Sequence, residues 1–68
     1  NMGGPVKKEV FFYDELGNLL KVEYRTGAEL VEEVEVLYTE TMLIEALLRH
    51  NLQSKEIVIT KFTYEFHS

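Results

Sequence analysis

"TGAELVEEVEVLY" (26–38) decides how this chain folds, because its apolar residues satisfy two periodicities at once. Val34, Val36 and Tyr38 alternate as in a strand, whereas Leu30, Val31, Val34, Leu37 and Tyr38 gather on one side of a helix. Thr26 and Glu29 break the tie at this level, since Thr-x-x-Glu is the spacing of a capping box. The hydroxyl takes one orphan amide at a helix start and the carboxylate reaches back to another. The spacing therefore predicts a helix beginning near residue 27. Its apolar arc carries Leu30, Val31, Val34, Leu37 and Tyr38, with Glu35 at the rim and Glu29, Glu32 and Glu33 opposite. Val36 is left pointing among the glutamates.

Upstream, "VKKEVFFY" (6–13) and "LLKVEYR" (19–25) are rich in β-branched and aromatic residues, and "DELGN" between them supplies turn chemistry. That pattern predicts a hairpin. In its second arm Leu20, Val22 and Tyr24 share one face while Leu19, Lys21, Glu23 and Arg25 share the other, so Glu23 is expected to point away from the core. The segment 13–27 is similar to one YD repeat of the large Rhs-type β-shell proteins, matching Tyr-Asp-x-x-Gly-Asn-Leu and the later glycine. A shell needs many copies and one is visible, so the likeness supports the hairpin alone.

Downstream, Ile44, Leu47, Leu48 and Leu52 form a second helical stripe, Glu45 and Arg49 stand four apart as an ion pair, and Asn51 suits a C-terminal cap. A second helix over 41–51 follows, continuous with the first or separated from it by "TET". "KEIVITKFTYEF" (55–66) alternates again, with Val58, Phe62, Tyr64 and Phe66 facing one way and Ile57, Ile59, Lys61, Thr63 and Glu65 the other. The expected fold class is α+β, in the order ββααβ. It has a three-stranded antiparallel sheet of order 2-1-3 with one or two helices packed on one face. Residues 6–66 form a single domain and "NMGGP" (1–5) is an added or disordered tail.

With 68 residues, such a domain buries only about 60% of its unfolded surface and needs a staple. No Cys is present, and His50 and His67 lie far apart with no carboxylate at helical ligand spacing, so neither a disulfide nor a metal is expected. Self-association remains, and a homodimer is expected. Twelve acids against seven bases give a net charge of −5. Direct nucleic-acid binding needs clustered Lys and Arg, so an acidic chain suits a basic partner instead. No apolar run approaches a membrane span, which predicts a soluble, cytoplasmic protein without a membrane partner. No phosphate loop, nucleophile motif or HExxH occurs, and no enzyme activity or cofactor is expected.

The run Glu23-Tyr24-x-x-Gly27-x-x-Leu30, then Glu35-Val36-Leu37-Tyr38 and Glu56-Ile57, resembles the small dimeric uracil-DNA glycosylase inhibitor family of Bacillus phages, of the ββαβ type. One residue is added between Gly27 and Glu35, and "TMLIEALLRHNLQ" (41–53) has no counterpart in that family. The resemblance implies a homodimeric DNA mimic that blocks base excision repair in the infected host. Its carboxylates would stand for phosphates in the basic groove of the host uracil-DNA glycosylase. An apolar pocket at a helix pair would engulf the leucine that the enzyme wedges into DNA. Carried over by position, Glu23, Glu35 and Tyr38 match contact residues, and Val34 stands where the family has a pocket-lining Phe. Leu30, Leu37, Met42 or Leu43 would refill that pocket. Two other readings compete. One is a homodimeric regulatory or interaction module, since "YDELGNLLKVE" is similar to AbrB-type swapped hairpins. The other is a DNA-mimic inhibitor of a different DNA-binding enzyme, the CRISPR type included.

Overall fold

A computed structural model describes residues 6–66. Five strands follow one another along the chain: β1 (Lys7–Tyr13), β2 (Leu19–Thr26), β3 (Glu29–Tyr38), β4 (Ile44–Asn51) and β5 (Glu56–Lys61). They pair in sequence order as one antiparallel sheet, β1-β2-β3-β4-β5. This overturns the α+β expectation: among the described residues there is no helix, and the last strand lies beside β4, not beside β1. The hairpin over 6–25 stands as β1 and β2. The tail at 1–5 and His67 lie outside the described residues.

The two helices fail for local reasons. Gly27 takes φ 63° and, with Ala28, closes a two-residue turn that sets Thr26 opposite Glu29. A positive φ at the first turn position is the glycine-first pattern whose twist suits a hairpin. Thr26 and Glu29 are therefore cross-strand neighbours and not a capping box. Between β2 and β3 the register shifts, with Tyr24 opposite Glu32 and Arg25 opposite Leu30, which leaves Val31 unopposed. That bulge adds one residue to the strand and throws Leu30 and Val31 out of phase with Val34 and Val36. The result imitates a helical period. The stripe over 41–51 is β4, with Leu47 on one face and Ala46 and Leu48 on the other, and Arg49 reaches Glu32 at 3.9 Å instead of Glu45. Asn51 ends this strand and its Oδ1 accepts from the Gln53 and Ser54 amides at 3.0 Å each. His50 sits in β4 opposite Glu33, away from any helix end.

The loop joining β1 to β2 is organised by Asp14. Its Oδ1 accepts from the Leu16 and Asn18 amides at 2.9 and 2.8 Å, and its Oδ2 from the Asn18 side chain at 3.0 Å. Gly17 completes the loop at φ 88°. These hydrogen bonds, that from the Asn18 amide first, hold the Asp14 carboxyl below the ordinary carboxylate range. Its folded value lies under its unfolded one, so the stabilisation is complete above the unfolded value and is lost as pH falls through the folded one. Asp14→Ala is expected to lower the melting temperature at neutral pH and to flatten the acid limb below about pH 4. Melting curves across pH 2–7 check it, and an unchanged acid limb would count against the loop's role.

The loop joining β3 to β4 repeats this geometry with different residues. The Asp14 amide donates to the Asn18 carbonyl at 2.9 Å and the Thr39 amide to that of Leu43 at 2.7 Å. The Gly17 amide meets the Asp14 carbonyl at 3.1 Å, and the Met42 amide that of Thr39 at 3.0 Å. The Thr39 Oγ1 accepts from the Leu43 amide at 3.1 Å, as the Asp14 carboxylate does from Asn18. Met42 takes φ 66° where the first loop has glycine. A side chain is strained there, so Met42→Gly should raise stability by about 0.5–1 kcal/mol in urea denaturation.

Candidate functional site

Each strand pair fixes which side chains share a face. Phe11, Val22, Val34, Arg49 and Val58 form one cross-strand row, and Phe12, Lys21, Glu35, Leu48 and Ile59 form a row on the opposite face. The first face is apolar across its middle. Val22 and Val36 are buried there, flanked by Phe11, Val34 and Leu47. The second face carries a charge lattice across β2 and β3.

Glu23 organises that lattice. It lies on the expected face, yet it is buried. Its Oε1 accepts from Arg25 at 3.1 and 3.2 Å, and its Oε2 lies 3.5 Å from the Lys21 ammonium. Lys21 in turn stands 4.8 Å over the Phe12 ring. Glu33 lies directly opposite Glu23, a like-charge pairing that sheets avoid. The two cations gripping Glu23 offset it. A carboxylate held by two bases within its own strand presents no free charge to a partner.

The other expected contact residues do not converge. Glu35 is exposed on the lattice face opposite Lys21, while Val34 projects from the other side of the sheet. Leu37 shares the lattice face, half exposed, beside Ala46. Leu30 pairs with Arg25 at the far end of β3. Met42 and Leu43 lie in the β3–β4 loop. Among the described residues no helix pair exists to form the leucine pocket. Among the described residues no group of three or more metal-binding side chains occurs, and no helix is long and apolar enough to cross a membrane. A groove of about 520 Å³ is lined by Leu37, Ala46, Leu48, Ile59 and Phe62 together with Glu45, Lys61 and Thr63.

Tyr38 serves a different role. Its hydroxyl donates to the Leu19 carbonyl at 2.7 Å, where β2 begins. The Tyr64 hydroxyl does the same to the Ile44 carbonyl at 2.6 Å, where β4 begins. The acceptors are 25 residues apart and the tyrosines 26. Register shifts before Tyr13 and before Tyr38, each next to the equivalent loop, complete the correspondence. The chain thus contains a repeated unit: a five-residue loop, a strand, a second turn, a strand and a closing tyrosine. Tyr13 occupies the third such place and is 58% exposed on the edge strand. Composition hid the second unit, since only the tyrosine spacing of Tyr13, Tyr38 and Tyr64 survives as a sequence signal.

Removing the Tyr38 hydroxyl should cost about 1 kcal/mol, an ordinary net hydrogen bond. Tyr38→Phe is therefore expected to lower the urea midpoint measurably and Tyr13→Phe to leave it unchanged. Equal effects would separate the tyrosines from the repeat. No family model, curated protein or solved structure matches the chain.

Proposed function

We propose that this chain is a structural module, two units of a repeat-built antiparallel β wall, which works by joining further strands at its edges and not by catalysis. The recurrence of loop, register shift and tyrosine bond at Leu19 and Ile44 carries this reading. A sheet built of such units buries apolar surface mainly between neighbours, so stability grows with their number. Both edges fit that role. The Phe62 amide donates to the Glu45 carbonyl at 3.0 Å, which turns the even residues of β5 towards β4 and leaves the backbone of Ile57, Ile59 and Lys61 on the free edge. The Gly27 amide donates to the Val6 carbonyl at 2.9 Å, and by the same alternation Lys7, Glu9, Phe11 and Tyr13 face outward from β1. The likeness of 13–27 to a YD repeat of Rhs-type β-shell proteins supports the reading, because the second unit supplies the recurrence that one copy lacked.

Deleting Thr39–Tyr64 leaves three strands and is expected to abolish cooperative unfolding. A three-stranded remainder that still melts cooperatively would overturn the repeat reading.

The second reading is inhibition of a host uracil-DNA glycosylase by DNA mimicry, favoured by the net charge of −5 and the exposed Glu35. It drew its leucine pocket from helices, and those residues form β3 and β4. Adding micromolar protein to a uracil-excision assay separates the two. The wall reading expects unchanged excision, and inhibition lost on Glu35→Gln would restore the mimic.

A further inference from the structure

We propose that the face bearing Phe11, Val22, Val34, Val36, Leu47 and Val58 is covered by the same face of a second copy, making a two-layer sandwich. This goes beyond the wall reading, which concerns the edges of the sheet. The molecule is a single layer about 17 Å thick with a radius of gyration of 15.4 Å, where a packed chain of this length has about 11 Å. Its accessible surface is 5,611 Å², whereas a folded chain of 8.0 kDa exposes about 4,500 Å². The excess exceeds the roughly 800 Å² that each partner contributes to a standard stable interface.

Charge selects the face. Across the three central strands the lattice face holds Lys21, Glu23, Arg25, Glu33 and Glu35, and covering it would strand Glu33 and Glu35 away from water. The apolar face holds in those strands Glu29, exposed at the start of β3, and Glu32 and Arg49, which pair with each other towards the same end. The middle of this face, Val22, Val34, Val36 and Leu47, suits a second copy, because stacked antiparallel sheets interdigitate alternate side chains at about 10 Å spacing. A shallow depression of about 160 Å³ between Val34, Leu47, Arg49, Val58 and Thr60 lies on this face, open to a side chain from the facing layer.

Sedimentation equilibrium of the whole chain tests it with a pair of neighbours in β5. Val58 and Ile59 are 53% and 55% exposed on opposite faces, so Lys at either is tolerated equally by the single sheet. The wild type is expected to sediment at twice 8.0 kDa. Val58→Lys should weaken the dimer by at least about tenfold and Ile59→Lys should leave it intact, with circular dichroism unchanged in both. A wild-type monomer at high concentration overturns the proposal, as does dissociation on Ile59→Lys. Ile59→Pro removes an edge amide without breaking the β4 ladder. If that variant alone dissociates, the copies join by their edges, which sinks the sandwich and leaves the wall reading standing.

Discussion

Val36→Asp is expected to unfold the sheet, while Leu37→Asp, one residue later, is expected to leave it folded. Val36 is 8% exposed and Leu37 41%, because successive side chains of β3 leave opposite faces. Burying a carboxylate at Val36 forfeits about 1.5–2 kcal/mol of apolar transfer and adds several more for an unpaired charge. A 68-residue chain has only about 3–10 kcal/mol to lose. At Leu37 the new carboxylate stays wet and costs about 1 kcal/mol or less. A helix over 27–38 would reverse the pair, since there Val36 points among the glutamates and Leu37 into the apolar arc. Circular dichroism of the two variants therefore tests the element type as well as the magnitude.

Duplicating Asp14–Tyr38 immediately after Tyr38 is expected to give a longer protein that is more stable and still unfolds in one transition. The inserted residues supply one loop, two strands and one closing tyrosine, and the following Thr39 finds the neighbour it already has. Lengthening most proteins by this much breaks them. In a stack of nearest-neighbour units each addition contributes another interface. The melting temperature should rise by about 10 °C and the urea slope in proportion to the added surface. Two separate transitions, or a lower midpoint, would show that the units do not share one ladder.

Parts of this architecture were legible from the residues. "DELGN" marked the first hairpin because Asp14 and Gly17 do there what their chemistry allows, and the alternation of Ile57, Val58 and Ile59 marked β5. The division of faces in β2 was also correct, with Val22 and Tyr24 on one side and Glu23 on the other. Its consequence was not, since Lys21 and Arg25 fold over Glu23 and bury it in the lattice. The helices were misread where a bulge at Val31 shifted the phase of a strand, and where β4, with the adjacent Leu47 and Leu48 on opposite faces, lost its alternation. Short apolar runs lack the information to separate those cases. The second repeat was hidden because Thr39 replaces Asp14 and Met42 replaces Gly17, keeping the hydrogen bonds and losing the letters. The expected contact residues were scattered for the same cause. A helix would gather Val34, Glu35 and Tyr38 along one side, whereas β3 sets Val34 and Glu35 on opposite faces and Tyr38 at its end.

The register shifts before Tyr13 and Tyr38 recur at the same phase of each unit. A bulge bends its strand and sharpens the local twist, so a bulge repeated once per unit adds the same increment of curvature each time. A flat ribbon cannot be grown from such units. The number of units then sets the arc, and the radius of any closed or spiral surface they build is written into one bulged residue per unit, Leu20 in the first and Glu45 in the second.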